Sequence, residues 1–249
     1  VDFIHVDDTQ SYQTMTRAVD GRMDPSRTVI EKLTVEENGP LHAVILLKGR
    51  YQYQTVGSTF PEQVTQRGFC PFTLRLHFYR GSGLVTAEHF FVYEGDPDHD
   101  FIRQMSFSLP VALAREGSSV TFGGDRQDHK AEGIAAALYQ ESCDDYRIMT
   151  RAPQQRHFET TAEGTRAPGW MDICSAEAGV TTGIRWFWQQ HAKALHADLA
   201  TGRLAVHLWP PQARPLDYRR YARIRAAGEA GIGSAKGTGK VHEFMLYFH

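Results

Sequence analysis

The chain has 249 residues, 41% of them hydrophobic, with 27 basic against 29 acidic side chains and a formal net charge of -2. That is enough apolar material for one large core, and it leaves no broad basic field to attract nucleic acid or an anionic membrane, so partners must be recognised locally. No apolar run approaches the roughly 20 residues of a bilayer-spanning helix, and the opening Val1-Asp2-Phe3, with no charged n-region and no Met, leads us to expect a segment of a longer polypeptide without a signal peptide.

In chain order, VDFIHVDD reads as a strand, and the polar stretch after it, through Asp24-Pro25-Ser26, as a surface loop. TVIEKLTVEENGPLHAVILLKGRY contains two β-rich runs joined at Glu37-Asn38-Gly39-Pro40. There Asn-Gly predicts a tight turn with positive φ, hence a hairpin. In FTLRLHFYR, Phe72, Leu74, Leu76 and Phe78 alternate with Thr73, Arg75, His77 and Tyr79, the period of a half-buried strand. Gly81-Ser82-Gly83 turns the chain into LVTAEHFFVYEG, and FIRQMSFSLPV follows Asp96-Pro97-Asp98 as a further strand. His77 and His89 fall on neighbouring predicted strands.

The middle is less regular. SVTFGG is a short strand, EGIAAALYQES is either a helical turn or a strand, and YRIMTR is a strand. The residues from Ala152 to Pro168 are polar and loop-like, and Gly169-Trp170-Met171-Asp172-Ile173 resumes a strand. The last third holds GIRWFWQQ, KALHADL and LAVHLW, read as an antiparallel meander with a turn at Thr201-Gly202 and a stop at Pro210-Pro211. Asp217 caps a surface helix expected to run to about Ala227. GIGSAKGTGK is either a flexible loop or a close backbone approach, and KVHEFMLYFH closes the chain. The spacing predicts an all-β fold, one antiparallel sandwich over residues 1–249 with little helix.

Cys70, Cys143 and Cys174 are widely spaced, without zinc-ligand spacing, so no metal site is expected and at most one disulfide can form. GSAKGTGK lacks P-loop spacing and no GxSxG elbow occurs, which excludes those phosphate-binding and serine-hydrolase signatures. His191, His196 and His207 do not cluster as metal ligands and are expected to be solvated or hydrogen-bonded.

VEENGPLHAVILLKG, LRLHFYRGSGLVTAEHFFVYEGDPDHDFIRQMSFSLP, RWFWQQHAKAL with HLWP, and GTGKVHEFMLYF resemble stretches of the exo-rhamnogalacturonan lyase family that includes the bacterial YetA-like proteins. Val241 stands where that family's Lys-Thr-His-Glu passage has Thr. The resemblance covers most of the chain from about Thr34. It implies the central super-sandwich of such a protein, galactose-mutarotase-like, with one or two short surface helices and an α/α toroid as neighbouring domain. It also implies a secreted or cell-envelope enzyme acting by β-elimination on a rhamnose- and uronate-containing acidic glycan without a cofactor. Membrane and nucleic-acid partners are not expected.

Such a lyase must neutralise a carboxylate, remove the adjacent proton and protonate the departing oxygen, tasks suited to Arg or Lys and to His, Tyr or Lys. Lys240, His242 and Glu243 form the tightest cluster and are the catalytic candidates; on a strand Lys240 and His242 share one face and Glu243 takes the other. Arg185, Trp188 and Gln189 are the substrate-binding candidates, with one of Trp186 and Trp188 assigned to the core and the other to a cleft wall. Two further readings stay open: a non-catalytic carbohydrate-binding module with an aromatic face, and a spacer that orients its neighbours.

Overall fold

A computed structural model describes residues 2–5, 27–56, 64–95, 100–111, 117–218 and 235–249, with side-chain environments given from Thr28 to Tyr51 and from Phe69 onward. The described residues form strands β1 (Asp2–His5), β2 (Arg27–Asn38), β3 (His42–Val56), β4 (Val64–Tyr79), β5 (Leu84–Val92), β6 (Asp100–Pro110), β7 (Ser119–Phe122) and β8 (His129–Ala131). They continue with β9 (Ala135–Ser142), β10 (Asp145–Arg151), β11 (Glu159–Gly164), β12 (Trp170–Cys174), β13 (Gly179–Ile184), β14 (Lys193–Asp198), β15 (Arg203–Trp209) and β16 (Gly239–Phe248). No helix occurs among the described residues, and all but the first two residues of the helix expected at Asp217–Ala227 lie outside them.

Two antiparallel sheets make the sandwich. One has seven strands in the order β1-β6-β15-β14-β9-β10-β11, the other nine in the order β2-β3-β4-β5-β16-β13-β12-β7-β8. The expected all-β antiparallel sandwich is therefore the observed architecture. Strands β2 to β5 are consecutive neighbours, joined by the expected β2–β3 hairpin and β4–β5 turn, after which the chain crosses to the other sheet at β6. The last third is not one meander: β14 and β15 pair within the seven-stranded sheet, whereas β13 and β16 pair within the nine-stranded one. β16 lies between β5 and β13, where Phe244 pairs with Ala87 on one side and Ile184 on the other.

One apolar core joins the facing surfaces. Phe72, Ala87, Phe91, Phe244 and Leu246 of the larger sheet pack with Ile102, Met105, Leu138, Leu195 and Leu208 of the smaller. β9 resolves the open choice over EGIAAALYQES. It is a strand buried throughout Ala135–Gln140, because Ala136 and Leu138 enter the main core while Tyr139 packs with Ala192, Ala194 and Ala213 on the opposite face. A run of alanines favours helix, and burial on both faces overrides that preference. At the far edge the nine-stranded sheet overhangs: Ile30, Leu33 and Val35 of β2 are 54%, 63% and 56% exposed.

Two local expectations are corrected. The hairpin between β2 and β3 is present, but Gly39 does not have positive φ; the corner falls at Pro40 and Leu41, and Gly39 N donates to His42 O at 2.9 Å. GIRWFWQQ is not a strand beyond Ile184. Trp186 adopts φ of 57° and residues 185–190 turn. Cys70, Cys143 and Cys174 are all free thiols, and burial pushes the Cys70 thiol up to about 12.

Candidate functional site

A groove of about 440 Å³ lies on the outer face of the nine-stranded sheet, opposite the core. Alternation along β5 puts Ala87 and His89 inside and Glu88 outside. Across the ladder Glu88 pairs with Glu243 and Thr86 with Met245. Met245 in turn faces Gly183, and Gly183 faces Trp170. Gly183 leaves the groove floor without a side chain, and a Cβ built there meets its neighbours only at ordinary van der Waals distances of 3.5–3.8 Å. Trp170, half-buried at the other side, gives the groove an aromatic wall, with Pro168 beside it.

The end of β13 supplies the cation. Arg185 N donates to Glu243 O at 2.9 Å, which extends the β13–β16 ladder by one rung, and Arg185 Nη1 donates to Glu243 Oε2 at 2.6 Å. The chain then folds back, with the buried Phe187 as its anchor. Gly169, at φ of 83°, is the residue that allows this, since a Cβ there would overlap the Phe187 side chain. Thr165–Ala167, which lead into the groove wall, are tied from behind. The buried Gln140 side chain donates to Ser142 O and Thr165 O and accepts from Ala167 N, all within 3.0 Å. Asp125 accepts from Thr165 N and Oγ1 and from Tyr146 OH, and those bonds hold its carboxyl below the usual range.

The six residues expected at the site fall into three places. Arg185 and Glu243 meet in the groove. Trp188 is half-buried beneath the Arg166 guanidinium, 4.7 Å from the ring centroid, and Gln189 is exposed; neither lines the groove. The split of the two tryptophans into core and cleft wall is corrected: Phe187 takes the core position, and Trp186 is 50% exposed with the Arg185 guanidinium over its ring. The reason is the turn, which breaks strand alternation after Ile184.

Lys240 and His242 do share one face, as period two requires, and it is the inner one. His242 is buried between His89 and Phe91, with ring centroids 5.8 and 6.1 Å away. His89 Nε2 lies 2.7 Å from Tyr51 OH, while Nδ1 of His89 and of His242 find no hydrogen-bond partner. Lys193, fully buried, donates to Leu208 O at 2.8 Å. Burial, with the nearby Lys240 charge second, holds the Lys193 amine well below its ordinary value, and burial also lowers Lys240. The same cause brings His89 to about 4 and, reinforced by Lys193, His89 and Lys240, drives His242 down. Inside the sandwich, His89 lines a cavity of about 100 Å³ together with Tyr51 and Met105 among others. The sheet separates these amines and imidazoles from the groove, so Lys240, His242 and Glu243 do not converge on one bound molecule.

Glu88, Thr86 and Trp170 were not foreseen. The alternation in TAEHFF already placed Thr86 and Glu88 on one face, but the partners that complete the groove come from β12, β13 and β16, far away in sequence. His77 and His89 do not face each other: His77 pairs with Thr86 and His89 with Leu74, on opposite faces.

The sequence matches the family described as PcRGLX-like protein central beta sandwich domain over residues 4–133 and 134–242. The uncharacterized protein YetA of Bacillus subtilis (strain 168) is 21% identical over 244 residues, an alignment that takes in 79% of this chain and 27% of that protein. The chain thus spans well under two thirds of its curated relative. Among solved structures, an alpha-mannosidase from Enterococcus faecalis V583 aligns at TM-score 0.48 and 12% identity, over 90% of this chain and 22% of that one. The GH36 alpha-galactosidase AgaA from Geobacillus stearothermophilus aligns at TM-score 0.46 and 9% identity, over all of this chain and 29% of that one. With nearly every described strand inside the matched residues and the two-sheet architecture in agreement, the chain belongs to the PcRGLX-like family as its central β-sandwich domain.

Proposed function

We propose that this chain is the glycan-holding sandwich of a polysaccharide lyase that cleaves a rhamnose- and uronate-containing acidic glycan by β-elimination. The observation that carries the reading is the outer groove, where the Trp170 wall, the Thr86 hydroxyl and the Arg185–Glu243 pair offer one apolar surface and several polar contacts side by side. That is the mixture a pyranose requires, because a sugar ring has apolar C–H faces and a hydroxyl rim. The family match and the resemblance drawn from the sequence support the lyase assignment.

The chemistry falls to a neighbouring domain, for which the resemblance suggests an α/α toroid. β-Elimination needs a base and a carboxylate-neutralising cation converging on one carbon. The groove offers a single cation that is already paired, and the imidazoles and amines of the core lie on the other side of the sheet. The test is absorbance at the unsaturated-uronate band, recorded on pectic and other acidic polysaccharides with the full-length protein and with this chain. We expect product from the former and none from the latter, while this chain still retains the polysaccharide in affinity electrophoresis. Lyase activity from the 249 residues alone overturns the division of labour. Retention without elimination by the full-length protein favours the binding-module reading.

A further inference from the structure

The charge balance of the groove bears on which sugar it takes. Glu88 and Glu243 are direct cross-strand partners on β5 and β16. Their Cβ atoms therefore stand about 4.5–5.5 Å apart. Arg185 is the one cation in the lining, and Glu243 already accepts from it at 2.6 Å. Arg75, the partner of Glu88 on β4, is occupied by Glu36 through hydrogen bonds of 2.6 and 3.1 Å. Among the described residues Glu88 makes no hydrogen bond or close ion pair, and the Arg75 charge that it feels is already balanced by Glu36. Two carboxylates against one paired cation leave the groove a net acceptor of hydrogen bonds with negative charge.

Sugar hydroxyls are donors that match such acceptors, and a carboxylate can receive two of them at once. A uronate fits poorly. It adds a third carboxylate beside Glu88 and Glu243, and the one guanidinium it can reach, Arg185, already has its charge balanced by Glu243 through Nη1, so the uronate has to share that cation; juxtaposed like charges disfavour the wrong partner. On the reading that this chain holds a glycan, we propose that the groove binds a neutral pyranose residue, with its hydroxyls donating to Glu88 and Glu243 and its ring against Trp170, and discriminates against a uronate at that position. In a glycan carrying both kinds of residue, the groove then places the neutral sugar here and the uronate elsewhere.

Saturation-transfer NMR on this chain with methyl α-rhamnoside, methyl β-galactoside and methyl α-galacturonoside, at pH 7 with EDTA present, tests this. We expect at least one neutral glycoside to bind at least ten-fold more tightly than the galacturonoside. The double variant Glu88→Gln/Glu243→Gln, which removes both charges and releases Arg185, should narrow or invert that ratio. Gly183→Leu, at a site where a Cβ fits, should fill the groove and abolish the neutral-sugar signal with an unchanged melting profile. Equal or tighter binding of the uronate by the unaltered chain overturns the neutral-sugar proposal and leaves the glycan-holding reading standing. Neutral-sugar binding that survives in Gly183→Leu with the same preference also overturns it, because the site is then elsewhere. No binding of any of the glycosides, together with no retention of polysaccharide, overturns both.

Discussion

His89 shows how much of this protein's response to acid is set by single buried side chains. Burial brings its imidazole to about 4, and His207, buried on the other sheet, to about 3, with the charge of His196 a secondary cause. In the unfolded chain both titrate near 6.5. The unfolded state therefore takes up protons that the folded state refuses as pH falls below about 6.5, so the stability contributed by these groups is complete above that pH. It is lost progressively down to about 4 for His89 and further for His207. For one such imidazole the loss between pH 7.5 and pH 5 is about 2 kcal/mol. Denaturant titrations at those two pH values check this, and equal unfolding free energies would show the imidazoles to be solvated. The same burial means that His242→Ala leaves a hole between His89 and Phe91 and does not behave as a strand-end substitution. The candidate site was half legible at this scale. Arg185 was chosen as a substrate-binding residue and Glu243 as a catalytic one beside Lys240 and His242; Arg185 and Glu243 meet, while Lys240 and His242 face the other way. Trp170 and Glu88 were passed over because nothing adjacent to them in the chain signals a groove.

Among elements, local pattern succeeded where a strand has one wet face and failed elsewhere. β4 alternates and was plain. β9 is covered on both faces, so its alanine-rich sequence carries no period to separate strand from helix. β11, ETTAEG, lies at the edge of the seven-stranded sheet and is largely exposed, which is why it read as loop. The turn at Arg185–Gln190 is set by Phe187 packing against Gly169, a contact between the turn after β13 and the entry to β12 that no single segment encodes. This ranks two glycine substitutions. Gly169→Ala meets both positive φ and Phe187 and should cost more than about 2 kcal/mol. Gly39→Ala meets His42 O at 3.1 Å and the Glu37 carboxylate at 4.0 Å, without positive φ, and should cost under about 1 kcal/mol. Thermal melts of the two variants compare them directly; a larger loss at Gly39 would contradict the corner placed at Pro40 and Leu41.

For the whole molecule, among the described residues β2 is paired on one side only and carries exposed apolar side chains. Long, apolar edges of this kind favour association. Leu33→Lys should therefore raise the concentration at which this chain stays monodisperse in light scattering, while leaving its melting temperature within about 2 °C, because a side chain already 63% exposed contributes little to the core. The sandwich class could be read from strand spacing, whereas the partition of strands between sheets could not. That partition also sets an order of events during synthesis. β16 is the wedge between β5 and β13, yet it is the last of the sixteen described strands to leave the ribosome. Until it emerges, no strand is available to join β5 to β13, so β2–β5 and β13–β12–β7–β8 cannot be linked as they are in the finished sheet. Completion of the larger sheet is thus a late, long-range closure.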